Sequence, residues 1–232
     1  LVEELRQAGA EAPDPTPKYI RSLGPRAPLP AEIPVPELTS RATCGDAARR
    51  AIAASVVRLI ENDPVMRLDD DPEGVHQARV ATRRLRSDLR TFESLVDSAW
   101  ASALRDELGW LAEILGRVRD GDVLLDRMRR TAARLPESSH PGSARVIAAL
   151  EATRDEAHGE LLATLRGDRY IELLDRLVAA ANAPELLPDA DLPALTVLPG
   201  LVHRPWRSLE KRVKVLSKDP SADELHAIRV RT

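Results

Sequence analysis

The amino-acid sequence predicts an all-α protein built from two related antiparallel helical bundles, of which the second is incomplete. Of the 232 residues, 43% are hydrophobic but only 3% are aromatic, a mixture that favours helices packed through small aliphatic side chains. Apolar residues recur at helical spacing after about residue 40, and no sustained run alternates apolar and polar residues with the period of a strand. Short loops join the long amphipathic segments, so we expect neighbouring helices to pack antiparallel.

Prolines indicate where the helical domain begins. Residues 1–24 are expected to be the tail of a preceding domain, and residues 25–39 a Pro-rich linker, because each proline fixes its own φ and restricts the residue before it. The helical domain occupies residues 40–232, with a first bundle over about 40–182 and a second from about 190. The chain begins without methionine and ends within a helical pattern, so we expect it to be part of a longer protein.

Capping residues, glycines and prolines set the expected helix bounds. Thr43 or Asp46 caps a first helix that runs to about Glu61, where Asn62-Asp63-Pro64 is expected to open a loop. Further helices are predicted at about residues 73–96, 99–133 with a candidate break at Gly116 or Gly121, 143–165, 168–181, 192–216 interrupted at its prolines, and from 221 to the end.

The second predicted helix carries the most informative pattern of the chain. At about 100° per residue, five of its cationic side chains share one narrow sector beside a mostly apolar stripe. This cationic row consists of His76, Arg79, Arg83, Arg86 and Arg90. Like charges three and four residues apart repel each other, so the row destabilises the helix unless an anion lies against it. The alternative is a solvated helix face whose arginines pair with neighbouring carboxylates.

Arginine chemistry makes phosphate the favoured anion for this row. A guanidinium presents several donors in a planar fork that suits phosphate oxygens. The formal net charge of the chain is -3, so its positive charge is local and favours a defined site over a general polyanion coat. Taken alone, His76 is better explained as a structural histidine. Its place at the head of the row suggests that bound phosphate stabilises its charged form and that binding tightens as pH falls.

A short internal sequence repeat indicates that the helical bundle is duplicated. The segment 225–232 matches the segment 75–82 at its His, Arg, Val and Thr positions, with an offset of 150 residues. Such an offset fits a duplicated bundle in which each copy has one His/Arg helix. His226 and Arg229 then correspond to His76 and Arg79.

The motifs at residues 75–86 and 115–123, with Arg169-Tyr170 and Leu225-His226, resemble the CHAD domain, a family named for a conserved histidine in an α-helical domain. Residues 1–24 resemble, more briefly, the tail of a CYTH domain, which often precedes CHAD in one polypeptide. The resemblance implies two bundles around a basic groove that binds inorganic polyphosphate, an association with polyphosphate granules, and a binding module rather than a catalyst. It places the cationic row, His226 and Arg229 in that groove.

Further residues are candidates for the same groove. Arg117 and Arg119 could extend it, while Arg204, Arg207 and Lys211 form either a second wall or a solvated face. Asp120 and Asp122 could be read as metal ligands, but no third ligand is nearby, so an ion-pair or helix-end role is favoured. Structural roles are preferred for three remaining histidines, His140, His158 and His203.

The sequence shows no catalytic apparatus. It has no Gly-rich phosphate loop, nucleophile elbow or His/Cys metal spacing, and the single Cys44 cannot form an intramolecular disulfide. No apolar run approaches the ~20 residues of a membrane span. Together with the resemblance to the CHAD domain, which implies polyphosphate as the ligand and an association with polyphosphate granules, these absences lead us to expect a cytoplasmic, cofactor-free binding module with divalent cations bound alongside the polymer. The alternatives are a regulatory or substrate-recruiting part of a CYTH-type triphosphate- or polyphosphate-processing enzyme, and an RNA- or DNA-binding protein, which low aromatic content and net negative charge disfavour.

Overall fold

The computed structural model describes residues 33–68, 71–217 and 219–229, without the side chains of Arg204 and Arg229. Within these ranges the regular elements are helices, and extended pairing is limited to isolated bridges such as Thr43 with Pro193 and Val96 with Leu186. The all-α prediction is confirmed. The predicted tail at residues 1–24 and most of the linker at 25–39 lie outside the described residues, as do residues 230–232.

Seven α-helices are described. They are α1 Cys44–Leu68, α2 Pro72–Thr91, α3 Ser98–Ala132, α4 His140–Arg166, α5 Asp168–Asn182, α6 Ala194–Val213 and α7 Ala222–Arg229. Helices α1 to α4 each pack against the next, and α5 closes the group by packing against α1, α3 and α4. Leucines, alanines and the fully buried Tyr170 fill the space between them. Among the described helices, none is long and apolar enough to cross a membrane.

Helix α1 begins where predicted but ends later. Thr43 and Asp46 cap it reciprocally, since the Asp46 amide donates to Thr43 Oγ1 at 3.1 Å and the Thr43 amide to Asp46 Oδ2 at 2.9 Å. The predicted loop at residues 62–64 is wrong, because α1 continues through Pro64 to Leu68. Tertiary contacts hold this last turn and offset the lost backbone bond. Met66 is buried, and Arg67 donates to the backbone oxygen of Leu165 at 2.7 Å.

Helix α2 begins at a side-chain cap and ends earlier than predicted. Asp71 accepts from the amide of Glu73 at 2.8 Å, with Pro72 in the first helical turn. The chain leaves the helix after Thr91 instead of Val96, because Leu95 and Val96 are buried and their backbone joins the 185–187 segment. One of these bonds runs from the amide of Leu187 to the Leu95 oxygen at 2.9 Å.

Two predicted interruptions do not occur. Helix α3 runs unbroken for 35 residues through Gly116 and Gly121. Helix α6 runs through Pro199 and Pro205. In α6, side chains on both sides of Pro199 pack against a small second core around Cys44 and Phe92, which holds the helix together across the proline. The predicted duplication stays a prediction, since α6 and α7 are the described helices of the second half.

Candidate functional site

Helix α2 separates an apolar side from a cationic side as the sequence predicted. The apolar stripe is buried and consists of Val75, Ala78, Thr82, Leu85 and Leu89. The buried Thr82 hydroxyl is satisfied by the Ala78 backbone oxygen at 2.8 Å. On the neighbouring side, His76 and Arg79 are half-buried, whereas Arg83, Arg86 and Arg90 are exposed. The helix therefore anchors the cationic row while leaving most of it open to solvent.

Among the residues that the structure describes, the cationic row has no carboxylate partner. Within the described residues, no Asp or Glu oxygen lies within 4.0 Å of a charged nitrogen of its five members. One arginine of α3 and one of α4 are engaged differently. Arg117 pairs with Glu160 at 2.6 Å, and Arg154 with Asp122 at 2.9 Å. In the described part of the chain, the row therefore forms none of the ion pairs that the alternative expected.

The one acidic residue inside the row's span is directed elsewhere. Ser55 on α1 donates to Asp88 at 3.5 Å, so the carboxylate lies on the α1 side of α2. Burial raises the pKa of Asp88, and the charge of Arg84 offsets part of that shift. Asp88 consequently leaves the positive charge of the row unneutralised.

Helix α3 packs against α2, and two of its glycines lie near arginines of the row. A Cβ placed on Gly109 would lie 3.9 Å from Cζ of Arg86, and one on Gly116 would lie 3.9 Å from Nε of Arg79. The two contacts are seven residues apart on each helix and run in opposite order, so they define an antiparallel register. The same register places Ala112 opposite Arg83.

Extending this register along both helices places two further arginines of α3 level with the ends of the row. Arg119 comes opposite His76, and Arg105 comes opposite Arg90. Both are half-buried, and neither has a carboxylate within 4.0 Å in the described part of the chain. Arg119 was expected as an extension of the groove, but Arg105 was not recognised from the sequence. The signal was present, because residues 105, 109, 112, 116 and 119 share one face of α3 at spacings of four and three.

Other candidates have structural partners. Arg117 is tied to Glu160 of α4. Asp122 has the ion-pair role that the sequence favoured, as its partner Arg154 is 13% and the carboxylate 10% exposed. His158 is buried and its Nε2 lies 3.2 Å from the Met66 backbone oxygen. His140 Nε2 lies 3.1 Å from the oxygen of Leu135.

The structure does not bring the candidates of the second half to the cationic row. Arg207 and Lys211 are exposed on α6, which packs mainly against α1. His226 is exposed on α7, which contacts the end of α6. The side chains of Arg204 and Arg229 lie outside the described residues. Helix α6 also presents an exposed apolar face, with Leu195, Val202 and Trp206 each at least 60% exposed.

The fold and the cationic row together define a class of protein. It is an all-α protein in which a packed bundle presents, along the seam of two helices, arginines that have no carboxylate partner in the described residues. More specifically, the chain belongs to the CHAD domain family, whose family model matches residues 50–232. The curated relatives include the uncharacterised protein Rv2226 of Mycobacterium tuberculosis, which is 35% identical over 187 residues, or 78% of this chain and 34% of that protein. The chain thus spans about a third of the length of the curated relatives that it matches.

Solved structures support the same fold. PptA from Streptomyces chartreusis superposes with a TM-score of 0.68 at 21% identity, covering 82% of this chain and 72% of that one. The CHAD domain from the plant Ricinus communis gives a TM-score of 0.68 at 24% identity, covering 88% of this chain and 67% of that one. At this level of identity the likeness extends to the fold.

Proposed function

We propose that this chain binds inorganic polyphosphate along the cationic row of α2, as a binding module and without catalysis. The observation that carries the proposal is the absence of carboxylate partners around the row in the described residues. Four arginines at helical spacing repel each other and destabilise α2 unless an anion lies against them. Membership of the CHAD family supports polyphosphate as that anion.

A linear phosphate polymer matches the row in charge and in shape. It carries roughly one negative charge per unit, so several arginines bind several units at once and release the counterions condensed on them. Guanidinium forks engage phosphate oxygens with paired hydrogen bonds, which an ammonium group does not provide. The formal net charge of -3 confines this attraction to the row and disfavours general polyanion binding.

The cellular role we propose is an accessory or targeting one at polyphosphate granules in the cytoplasm, with divalent cations bound alongside the polymer. A second candidate is recruitment of substrate for a CYTH-type triphosphate- or polyphosphate-processing domain, which the resemblance of residues 1–24 favours. Polyphosphate binding is common to both. They differ in whether a catalytic domain acts on the bound polymer.

The test compares Arg83→Glu with the matched control Arg145→Glu. Both arginines are exposed and have no carboxylate partner in the described residues, but Arg145 lies on α4, away from the row. Arg83→Glu is expected to weaken long-chain polyphosphate binding at least about tenfold and to reduce the slope of log affinity against log salt by about one. Arg145→Glu makes the same change in net charge and is expected to leave affinity nearly unchanged. Equal effects of the two variants would contradict the site.

Competition at fixed salt tests the polymer. RNA and duplex DNA are added at the same phosphate concentration as polyphosphate, and displacement of labelled polyphosphate is measured. The aromatic content of 3% gives few platforms for base stacking, so nucleic acids are expected to compete poorly. Stronger binding of RNA or DNA would replace polyphosphate as the proposed ligand.

A further inference from the structure

Helices α3 and α4 continue beyond the core of the first bundle as a two-helix arm. Helix α3 contributes to that core as far as Val118, and α4 contributes to it from Ala157 onwards. The residues between them, 119–157, are all described by the structure, and Leu125 is the one buried residue among them. Two helices that pack mainly on each other bury only the faces that meet. The arm, residues 117–160, therefore exposes both of its sides.

Ion pairs between the two helices distinguish the sides of the arm. Arg117 pairs with Glu160 at 2.6 Å, and Arg129 pairs with Glu151 at 2.6 Å. In α3 the two arginines are 12 residues apart, which is about 120° around the helix. In α4 the two glutamates are nine residues apart, which is about 180° around the helix. The two ion pairs therefore lie on different sides of the arm.

The side that carries the Arg117–Glu160 pair is apolar towards its outer end. Leu124 comes seven residues, or about two turns, after Arg117, and Val146 comes 14 residues, or about four turns, before Glu160. Both side chains consequently lie on this side, where Leu124 is 42% and Val146 47% exposed. The half-buried Met128 follows Leu124 by about one turn. We call this surface the apolar side of the arm.

The charges of the arm are unevenly distributed along its length. The outer part, residues 126–151, has five arginines and three carboxylates. The inner part, residues 117–125 and 152–160, has three arginines and five carboxylates. The arm is therefore positive at its tip and negative at its base.

This distribution makes the apolar side complementary to itself in one orientation. Two copies that meet through this side with their arms antiparallel bring each positive tip against the negative base of the other copy. A parallel arrangement brings like charges together, which is unfavourable. The apolar side is about 25 Å long and two helices wide, or about 500 Å² per copy, which lies at the lower end for specific interfaces.

We propose that the apolar side of the arm binds the same surface of a second copy of this chain, with the two arms antiparallel. Each copy contributes the same residues to the contact, and the two arms together form a four-helix packing that covers Leu124 and Val146. The small area corresponds to a dimer with a dissociation constant in the micromolar range. This inference does not depend on polyphosphate binding.

The test measures the mass of the chain in solution by sedimentation velocity between about 1 and 100 μM. The variant Leu124→Glu/Val146→Glu places four carboxylates in the contact of two copies, and we expect its dissociation constant to rise at least about tenfold. Both positions are exposed, so the core is left unchanged. The control Ala148→Glu changes an exposed residue on the opposite side of α4 and is expected to dimerise like the wild type.

A second control addresses the other exposed apolar surface of the chain. Val202 on α6 is 61% exposed, and Val202→Glu is expected to leave the dimer intact. A monomeric wild type at 100 μM would overturn the proposal. Wild-type association of Leu124→Glu/Val146→Glu, or loss of the dimer in Val202→Glu, would overturn it as well.

Salt dependence tests the orientation without any substitution. Raising the salt concentration from about 0.05 to 0.5 M screens the attraction between tip and base, so the dimer is expected to weaken severalfold. An unchanged or tighter dimer at high salt would overturn the antiparallel arrangement.

Discussion

Replacing Tyr170 with phenylalanine is expected to destabilise the first bundle by about 2 kcal/mol, because a hydrogen bond to a charged group contributes about 1.5–3 kcal/mol. Tyr170 is fully buried, and its hydroxyl donates to Asp63 Oδ1 at 2.8 Å. The other carboxylate oxygen of Asp63 accepts from Arg67 Nε at 2.7 Å. Phenylalanine keeps the ring packed and leaves Asp63 with Arg67, so the loss is confined to one bond.

This perturbation is measured by urea and thermal unfolding. For a domain of this size, 2 kcal/mol corresponds to a fall in Tm of about 4–8 °C. A double-mutant cycle with Asp63→Asn isolates the bond from general effects on the core. A destabilisation below about 0.5 kcal/mol, or strict additivity in the cycle, would refute the reasoning, because hydrogen bonds to charged groups are worth more than that.

The same residue gives a pH dependence with a defined sign. Burial, with Asp63 beside it, raises the pKa of Tyr170 well above its ordinary value of 10.0. The unfolded chain therefore releases this proton near pH 10 while the folded chain keeps it, so this contribution to stability is complete below pH 10 and is lost as pH rises above it. The slope approaches about 1.4 kcal/mol per pH unit, and Tyr170→Phe is expected to remove it.

Three further outcomes are expected. Gly74→Ala should destabilise the chain by about 1–3 kcal/mol in urea unfolding, because a Cβ there would lie 2.7 Å from Cγ1 of Val65. Unchanged stability would mean that the turn between α1 and α2 adapts freely. His76→Gln should weaken the binding of long-chain polyphosphate severalfold, since His76 lies half-buried at the head of the row; wild-type affinity in this variant would contradict its role in the site. Asp122→Ala should cost about 2–3 kcal/mol in thermal or urea unfolding, because it removes the carboxylate 2.9 Å from Nε of Arg154 and leaves the more exposed Asp155 at 3.5 Å. A cost near that of an exposed ion pair would show that Asp155 and other contacts compensate Arg154.

The parts of this fold that could be predicted from sequence are those that local patterns determine. Helix α2 was placed within a residue at its start, because Asp71-Pro72 is a local cap and its two stripes repeat at helical spacing. Its end was missed because the turn after Thr91 depends on pairing with a segment almost a hundred residues further along the chain. The helical continuation through Pro64 depends likewise on remote contacts from Tyr170 and Leu165.

The candidate site was likewise predictable from sequence only where it depends on a local pattern. The cationic row lies on one helix and was visible as a pattern, whereas the contribution of α3 depends on which helix packs beside the row. Gly116 was expected as a candidate helix break, because from sequence alone a glycine in a long helix indicates flexibility. In the structure α3 continues through Gly116, and a Cβ there would lie 3.9 Å from Nε of Arg79.

The distribution of tryptophan has an optical consequence. Trp100 and Trp110 are half-buried in α3 against the core of the first bundle, with the Arg169 guanidinium 4.0 Å from the Trp110 ring centre, while Trp206 on α6 is 60% exposed. These are all three tryptophans of the chain. Intrinsic tryptophan fluorescence therefore combines the emission of two half-buried indoles in the first bundle with that of one exposed indole. In a Trp206→Phe background, fluorescence becomes a signal from the same helix that forms one side of the seam.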